Sequence, residues 1–423
     1  MALAGLLFNC QPSEPYLTAY LKNDKGLTSD TLDASVWPWN TYSAVPWLLL
    51  VALMADIAGP WPVLLLGALL RLATRNLLLF ASGVPAMAAA QVTYAGASAV
   101  NTIYFAYVYI AVPRKHYAAV TGIVHAAWHA GNLVGSAAGQ AYVSAHGGVH
   151  HAPLAHLFYA SLLFTSCGTA SLFLLPSPRA ALPPSVFSLA RGLRTALSAI
   201  AALYDHAVVR AWSLWWIAVY GAHYVIGNYY QTQFSDIRPH DDKAYGAVEM
   251  IIEAGSTLAS GLPLVLAAAS LASASTTAAL GSLLLSGCYF ASTRLTSSVY
   301  YSFAFNTAAI TAFAGLYAVA SNAIGRVHGG SDVDSDAPLV ADPHYAVVFA
   351  LNTLVALGLA TIGQATGVHA GYHTNDYYVL AAIVTLAAAV AITGHGIITA
   401  MVRSSPPLPA TRPLLESAAS INI

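Results

Sequence analysis

Apolar stretches long enough to cross a lipid bilayer recur along the whole chain, separated by polar connections. A stretch of about 20 apolar residues crosses a hydrocarbon core of roughly 30 Å. The predicted spans cover residues 2–21, 37–55, 61–82, 85–111, 117–143, 153–175, 209–234, 245–269, 274–293, 297–324, 344–366 and 374–402. The pattern therefore predicts an all-α membrane protein with twelve transmembrane helices.

One connection divides the twelve spans into two equal sets. The longest connections cover residues 22–36, 176–208 and 325–343, and the middle one leaves six spans on either side. This layout is typical of carriers whose two pseudo-symmetric halves rock around a site near the bilayer midplane. We therefore predict an N-terminal half at 1–175, a cytoplasmic linker at 176–208, a C-terminal half at 209–402 and a cytoplasmic tail at 403–423.

The composition supports a membrane protein and argues against other classes. Of the 423 residues, 57% are hydrophobic and 8% are charged, and a soluble fold does not cover so much apolar surface with so few charges. The net charge of -1 provides no basic surface for nucleic acid, and the three cysteines stand singly. Single cysteines argue against a disulfide or zinc framework. We expect no metal, no cofactor and no nucleic-acid partner.

The basic residues of the connections indicate an orientation. With a cytoplasmic N-terminus, nine Lys and Arg residues of the connections and tail lie inside and five outside, while Arg71 and Arg75 fall within a span. Because cytoplasmic loops are enriched in Lys and Arg, we expect both termini in the cytoplasm. The plasma membrane is the expected location.

Few ionisable groups fall within the spans, and each needs a reason to be there. A charge at that depth is costly in lipid, so it faces the bundle interior or a water-filled cavity. The candidates are Glu14 in span one, Arg71 and Arg75 in span three, His125 and His129 in span five, His223 in span seven, and Glu249 and Glu253 in span eight.

Glu14 stands between Pro12 and Pro15. The missing backbone donors of the prolines loosen the helix and free carbonyl groups to face a cavity. We therefore expect Glu14 to line a substrate path, with a structural ion pair as the alternative. Glu249 and Glu253 are four residues apart and share a helix face, where they repel unless water, a proton or a cation separates them.

The basic and imidazole pairs leave more alternatives open. Arg71 and Arg75 could hold an anionic substrate, pair with an acid of the protein or reach an interface, and we favour a structural role. His125 and His129 have the spacing of two metal ligands, but no neighbouring carboxylate or thiolate completes a zinc set. A proton-handling role remains for them, and we favour histidines that line a cavity or pack between helices.

Aromatic residues cluster in spans four and seven, where they either pack helices together or stack on a planar ligand. Such rings also attract a ligand cation. Beside Asn101, Asn228 and Gln231, they could surround a charged heterocycle.

A run near the start of the chain reads Pro12-Ser13-Glu14-Pro15-Tyr16-Leu17 and continues to Leu21. This run resembles a motif of the reduced folate and thiamine carrier family, solute carrier family 19, although Gln11 and Ala19 replace an Arg and a Pro of the family pattern. Further matches follow in order at residues 41–43, 62–66, 106–109, 212–216 and 348–353. The resemblance extends over nearly the whole chain and implies a vitamin carrier of the major facilitator fold.

The resemblance also bears on the substrate. Folate-type members place basic residues at positions that align with Asn101, Thr307 and Ala360 here, so that cationic set is absent. Thiamine-type members have a Glu at the first of these positions and a run that resembles Asn228-Tyr229-Tyr230-Gln231. We therefore expect thiamine or a similar cationic vitamin, with reduced folate as the alternative and the coupling ion left open.

The resulting hypothesis assigns a role to each candidate. Glu14 and one of Glu249 and Glu253 offset the substrate's charge, and Asn101, Asn228 and Gln231 form hydrogen bonds with it. The aromatic candidates that stack around it are Tyr42, Tyr104, Tyr107 and Trp215. Arg71 and Arg75 form an anion site or ion pairs.

The expected partners are the vitamin and the lipid bilayer. The alternatives from other classes are an intramembrane hydrolase that uses His125 and His129, and a sensor with a carrier fold.

Overall fold

The computed structural model describes residues 1–101, 103–104, 117–175, 204, 206–237, 244–260, 271–326 and 343–404. Within these ranges the chain is helical and has no β-strand. Most of the predicted linker, most of the predicted tail and Tyr107 lie outside the described residues.

The α-helices are numbered here in chain order. Within the described ranges they are α1 (Ala2–Asn9), α2 (Leu17–Asn23), α3 (Ser29–Ser35), α4 (Pro38–Ala58), α5 (Pro60–Phe80), α6 (Val84–Ala99), α7 (Tyr117–Ala145), α8 (Ala155–Leu172), α9 (Ala207–Ile237), α10 (Tyr245–Ala259), α11 (Leu271–Arg294), α12 (Val299–Arg326), α13 (Pro343–Ala370) and α14 (Thr374–Ser404). The prediction of an all-α chain is confirmed.

The first predicted span is a broken helix. Helix α1 ends at Asn9, a 3₁₀ turn covers Glu14–Tyr16, and α2 begins at Leu17. Pro12 and Pro15 have no backbone N–H to continue the ladder, which accounts for the break at this point. The break places Glu14 at the start of the 3₁₀ turn.

The connection between the first two spans contains a helix that the hydrophobic pattern does not predict. Helix α3 covers Ser29–Ser35, and the Thr28 side chain accepts a hydrogen bond from the Thr31 backbone N–H at 3.2 Å. A Thr that caps a first turn in this way stabilises even a short helix. Asp33 of this helix is buried.

Five helices within the described residues are long and apolar enough to cross a membrane by length and composition. They contain the segments Pro60–Phe80, Ala274–Arg294, Val299–Ala320, Leu351–Ala370 and Thr374–Ile397. Large apolar side chains also lie on the outside of the bundle, among them Leu258, Val390 and Leu163, which are 81%, 67% and 63% exposed. A bilayer covers such a surface.

The two halves meet along two equivalent pairs of helices. Helix α7, the fifth span, packs against α10, the eighth, and α4, the second span, packs against α13, the eleventh. In both pairs the second span of one half contacts the fifth span of the other. This reciprocity is what a pseudo-two-fold axis between two six-helix halves produces.

A glycine stripe on α7 brings this helix into backbone contact with the start of the chain. Gly131, Gly135 and Gly139 follow one another at four-residue spacing, so they share one face of the helix. A Cβ atom there would collide with the carbonyl oxygen of Leu6, the backbone nitrogen of Gln11 and the carbonyl oxygen of Pro12, respectively. The absence of side chains on this face lets α1 and the segment before the 3₁₀ turn lie directly on α7.

Candidate functional site

A polar cavity of about 440 Å³ lies between the two halves. Its volume falls within the range of small-molecule sites. The first half contributes Asn9, Gln11, Glu14, Leu17, Thr18, Trp37, Asn40, Arg71, Gln91, Tyr94, Ser98, Asn101, Trp128, Asn132 and Ser136, and the second half contributes His223, Tyr224, Gly227, Asn228, Tyr230, Gln231, Glu249 and Glu253.

On the wall of the first half, Glu14 is already paired. Arg75 Nη2 lies 3.1 Å from Glu14 Oε2, and the same nitrogen donates to Gln11 Oε1. The Arg75 side chain is 4% exposed, whereas the Glu14 side chain is 37% exposed. A buried guanidinium that is held by a carboxylate and an amide is fully compensated. The charge of Glu14 is therefore offset inside the protein.

Arg71, one turn before Arg75, has a different environment. Its Nη2 donates to Asn101 Oδ1 at 2.8 Å, and its guanidinium lies 5.3 Å from the Phe8 ring and 5.5 Å from the Trp128 ring. Aromatic faces attract a cation but do not neutralise it. Within the described part of the chain, no carboxylate forms an ion pair with Arg71.

On the wall of the second half, Glu249 is held by a neutral donor. The Tyr230 hydroxyl donates to Glu249 Oε1. Gln231 Nε2 in turn donates to the Tyr230 oxygen at 3.1 Å and to the backbone oxygen of Glu14 at 2.9 Å. No Lys, Arg or His of the described ranges contacts the Glu249 carboxylate.

Glu253 is bonded across the interface between the halves. Its Oε2 lies 2.8 Å from His129 Nδ1, and its Oε1 accepts a hydrogen bond from Asn132 Nδ2 at 2.9 Å. Both partners belong to α7, whereas Glu253 belongs to α10. Each oxygen of this carboxylate is thus bonded to the opposite half.

A second polar bridge between the halves involves Asn228. Its Oδ1 accepts from Asn40 Nδ2 at 2.7 Å, and its Nδ2 donates to Thr41 Oγ1 at 3.1 Å. The Tyr224 hydroxyl also donates to Asn40 Oδ1, at 3.4 Å. These bonds connect α9 with the first turn of α4.

A polar layer joins the halves at the end of the bundle that holds α3 and the connection between α13 and α14. Thr374 Oγ1 donates to Asp33 Oδ2 at 2.6 Å, and the Tyr229 hydroxyl donates to the Asp33 backbone oxygen at 3.3 Å. Lys22 Nζ pairs with Asp236 Oδ1 at 3.2 Å in the same layer. Burial raises the pKa of Asp33, which lies outside the membrane-spanning segments, to about 7 despite the bond from Thr374.

The structure brings together seven of the residues that the sequence suggested for the site. Glu14, Arg71, Asn101, Asn228, Gln231, Glu249 and Glu253 line the cavity. Arg75 lies directly behind Glu14 and forms the ion pair that was the structural alternative for both residues. That the cavity residues bind a substrate stays a prediction.

Three of the aromatic candidates do not line the cavity. Tyr42 lines a separate groove beside Trp39, the Tyr104 hydroxyl donates to the Met1 backbone oxygen at 2.8 Å, and Trp215 Nε1 donates to Ser282 Oγ at 2.8 Å. Aromatic identity alone does not tell which face of a helix meets the cavity. Tyr107 and the His125 side chain lie outside the described residues.

Other lining residues were missed, although helical spacing could have found them. Counting back from Asn101 in steps of three, four and three gives Ser98, Tyr94 and Gln91, which line the cavity with it. Steps of three and four from His129 likewise give Asn132 and Ser136. Polar residues that recur at these steps in an apolar span mark one helix face.

The first half of the chain resembles known vitamin carriers in sequence. Residues 1–188 match the reduced folate carrier family. Folate transporter 1 of Caenorhabditis elegans is 35% identical over 147 residues, which make up 34% of this chain and 32% of that protein. Thiamine transporter 2 of Homo sapiens is 32% identical over 182 residues, 42% of this chain and 36% of that protein. The resemblance that the early motifs indicated is confirmed.

The matched part of the relatives is limited. Thiamine transporter 1 of Homo sapiens is 35% identical over 179 residues, 42% of this chain and 35% of that protein. The chain thus spans no more than 36% of the length of these three relatives. The resemblance of the motifs from Trp212 onward stays a prediction.

Solved transporters share the fold over nearly the whole chain. The xylose transporter XylE from E. coli superposes with a TM-score of 0.63 at 12% identity, covering 92% of this chain and 94% of that one. A POT family transporter gives a TM-score of 0.68 at 12% identity, covering 96% of both chains. The chain is therefore an integral membrane protein with the twelve-helix, six-plus-six bundle of the major facilitator fold, as the hydrophobic pattern predicted.

Proposed function

We propose that this chain, whose residues 1–188 match the reduced folate carrier family, is a secondary carrier that moves a water-soluble vitamin across a membrane. Thiamine or a similar cationic vitamin is the favoured substrate. The protein is then not an enzyme, and it forms no covalent intermediate. Both termini face the cytoplasm of a cell whose plasma membrane holds the carrier.

The observation that carries the proposal is the uncompensated acid of the second half. Glu249 lines the cavity and accepts a hydrogen bond from Tyr230, a neutral donor. Within the described residues no cation contacts it. A carboxylate in an apolar surrounding is costly unless a positive charge offsets it. A cationic ring in the cavity supplies that charge.

The remaining lining residues fit a flat heterocycle. Tyr94, Trp128 and Tyr224 provide aromatic faces, on which a cationic ring stacks favourably. The Gln91 side chain is 6% exposed and has no hydrogen-bond partner within the described residues. Its amide is therefore available to a polar edge of the ring. Glu14 has a smaller share in this proposal than the sequence suggested, because Arg75 already offsets its charge.

Alternating access supplies the transport step. The cavity lies between two halves that meet along α7 with α10 and α4 with α13. Rocking of one half against the other opens such a site to one side of the membrane at a time. Since a carrier must release what it binds, we expect moderate affinity.

Reduced folate is the second candidate, and Arg71 favours it. This guanidinium lines the cavity and has no carboxylate partner among the described residues. An anionic substrate would pair with it through two parallel hydrogen bonds. The two candidates thus rest on different charges in one cavity.

Uptake into proteoliposomes tests the proposal. We expect saturable uptake of labelled thiamine that Glu249→Gln abolishes and Arg71→Gln preserves. The control is Asp30→Asn, which removes an exposed carboxylate that does not line the cavity. Folate uptake that is lost in Arg71→Gln but kept in Glu249→Gln would support the second candidate. Saturable binding without flux would indicate a sensor, and neither binding nor flux would refute the vitamin proposal.

A further inference from the structure

The contact between His129 and Glu253 is the feature that the proposed function leaves unexplained. The 2.8 Å contact between Nδ1 and Oε2 joins α7 of the first half to α10 of the second. The two side chains are 31% and 19% exposed. Because alternating access moves the halves relative to each other, a bond between these two helices must break and form again in every cycle.

Among the described residues, the groups around this contact provide no second cation for Glu253. On α10, Glu249 precedes Glu253 by one turn and is held by Tyr230 of α9. From α1, which packs on α7, the cavity receives the neutral amide of Asn9, and from α12, which packs on α10, Thr311 lies against Gly255. Besides Glu249 and Glu253, the charged and titratable groups of the described residues that line the cavity are Glu14, which pairs with Arg75, Arg71 on the Trp128 ring, His223, Tyr94, Tyr224 and Tyr230.

We propose that His129 and Glu253 share one proton, and that its position decides whether the empty carrier can change sides. While the contact between the two side chains is formed, the imidazolium Nδ1–H of His129 donates to the carboxylate of Glu253. Transfer of that proton breaks the N–H bond and forms an O–H bond on Glu253 Oε2. The products are a neutral imidazole and a neutral carboxylic acid, and no other reactant is needed. This inference rests on the proposed transport function.

The physical reason is the cost of separating charges away from water. An imidazolium and a carboxylate that part in a low-dielectric cavity lose their mutual attraction and remain poorly solvated. After proton transfer the two neutral groups can part at much lower cost. If the shared proton is lost to solvent, Glu253 remains charged. Separation of the two halves then leaves this carboxylate without a partner, which is costly.

A bound cation changes this requirement. Glu253 lines the cavity beside Glu249, so a cationic substrate can offset the carboxylate in place of the proton. The loaded carrier therefore changes sides without protonation of Glu253, whereas the empty carrier needs it. Net uptake includes the return of the empty carrier, but exchange of substrate for substrate does not.

Two transport measurements on one preparation separate these steps. We expect net thiamine uptake by the wild-type carrier to fall as pH rises at equal pH on both sides, approaching about tenfold per pH unit for a single proton. Exchange of internal for external thiamine should change by less than about twofold over the same range. His129→Gln keeps a hydrogen-bond donor but holds no transferable proton. It should lower net uptake about tenfold or more and leave exchange intact.

His223→Gln is the matched control. His223 lines the same cavity, but its Nδ1 lies 3.0 Å from the Tyr289 hydroxyl and its ring stacks on Phe313 at 3.7 Å, all within the second half. This variant should keep the wild-type pH profile of net uptake. If His129→Gln does not yield monodisperse protein, Glu253→Gln carries the test, since a permanently neutral side chain should make net uptake independent of pH.

Each remaining outcome counts against the inference. It is overturned if net uptake and exchange share one pH profile in the wild type, or if His129→Gln keeps the wild-type ratio of net uptake to exchange. Loss of the pH profile in His223→Gln also overturns it. Wild-type protein that exchanges no thiamine and no folate refutes the transport function itself, which is a different result from exchange without a pH-dependent return step.

Discussion

The two walls of the cavity carry their charges in different ways. On the wall of the first half, Arg75 and Glu14 neutralise each other at 3.1 Å. On the wall of the second half, Glu249 is bonded to the neutral Tyr230, and Glu253 is bonded to His129 of the opposite wall. The Glu14–Arg75 pair is neutral within the first half, whereas Glu249 has a neutral partner and Glu253 takes its partner from the opposite half.

The difference shows that depth in the membrane does not by itself identify a ligand-binding acid. Glu14, Glu249 and Glu253 all line the cavity, and all three were candidates as intramembrane carboxylates. Their partners distinguish them. We expect Glu14, which has the buried Arg75 beside it, to stabilise the fold, and Glu249, which accepts from the Tyr230 hydroxyl, to be available to a substrate.

The largest effect on stability is expected when the Glu14–Arg75 ion pair is broken. Arg75→Gln leaves Glu14 without its cation and removes a buried guanidinium, which should lower the free energy of unfolding by up to about 5 kcal/mol. Thermal unfolding in detergent measures this. Adding Glu14→Gln should recover part of the loss, because the two changes are coupled. Arg71→Gln is the control, and an equal loss there would show that the walls do not differ.

The polar layer contains Asp33, a buried acid that no Lys, Arg or His of the described residues contacts, so its effect on stability should depend on pH. The pKa of Asp33 is raised by burial from 3.8 to about 7, so its contribution to stability is present below pH 4 and is lost as pH rises through 7. Asp33→Asn should therefore unfold at a higher temperature than the wild type at pH 8, by up to about 4 kcal/mol in free energy, and with little difference at pH 4. Melting curves of both proteins at the two pH values test this sign.

A smaller effect is expected when the Tyr230 hydroxyl, which donates to Glu249, is removed. Tyr230→Phe removes the donor to Glu249 and so disfavours its charged form. The KM for thiamine should rise by about tenfold, as expected for one hydrogen bond to a charged group. Tyr300→Phe, at a tyrosine outside the cavity that is 59% exposed, should leave the KM unchanged. A fall in KM would contradict the role of Glu249.

The smallest effect is expected at Arg71, whose charge has the same sign as that of a cationic vitamin. Arg71→Gln removes a cation that repels a cationic vitamin in the same cavity, so the KM for thiamine should fall by about threefold. Inhibition of thiamine uptake by folate should weaken in the same variant. Arg71→Lys keeps the charge and should resemble the wild type. A rise in the KM for thiamine in Arg71→Gln would mean that Arg71 positions the site instead of opposing the substrate.

Much of the fold could be predicted because lipid imposes long apolar runs, and these fixed the positions of the spans. The break at Glu14 also followed from local chemistry, since Pro12 and Pro15 remove backbone donors. Helix α3 was missed because a short polar helix outside the membrane has no hydrophobic signature and depends on a cap at Thr28.

The partners of the site residues could not be predicted from the sequence. His129 and Glu253 are 124 positions apart, and nothing in their local sequences indicates that α7 meets α10 at this level. Arg71 and Arg75 lie on the same helix one turn apart, yet only the packing of the broken first span decides which of them faces Glu14. Tertiary contacts, not residue type, therefore separate structural charges from available ones.

The glycine stripe on α7 fixes how the broken span and α7 move. Where two backbones touch without side chains between them, neither can slide past the other without a steric collision. Under the proposed alternating access, we expect the first span and α7 to move as one unit and to keep the separation between Glu14 and His129 constant. Glu253 belongs to α10 of the other half, so the distance from His129 to Glu253 should change as the halves rock, and a pair of spectroscopic labels on α7 and α10 would measure that change.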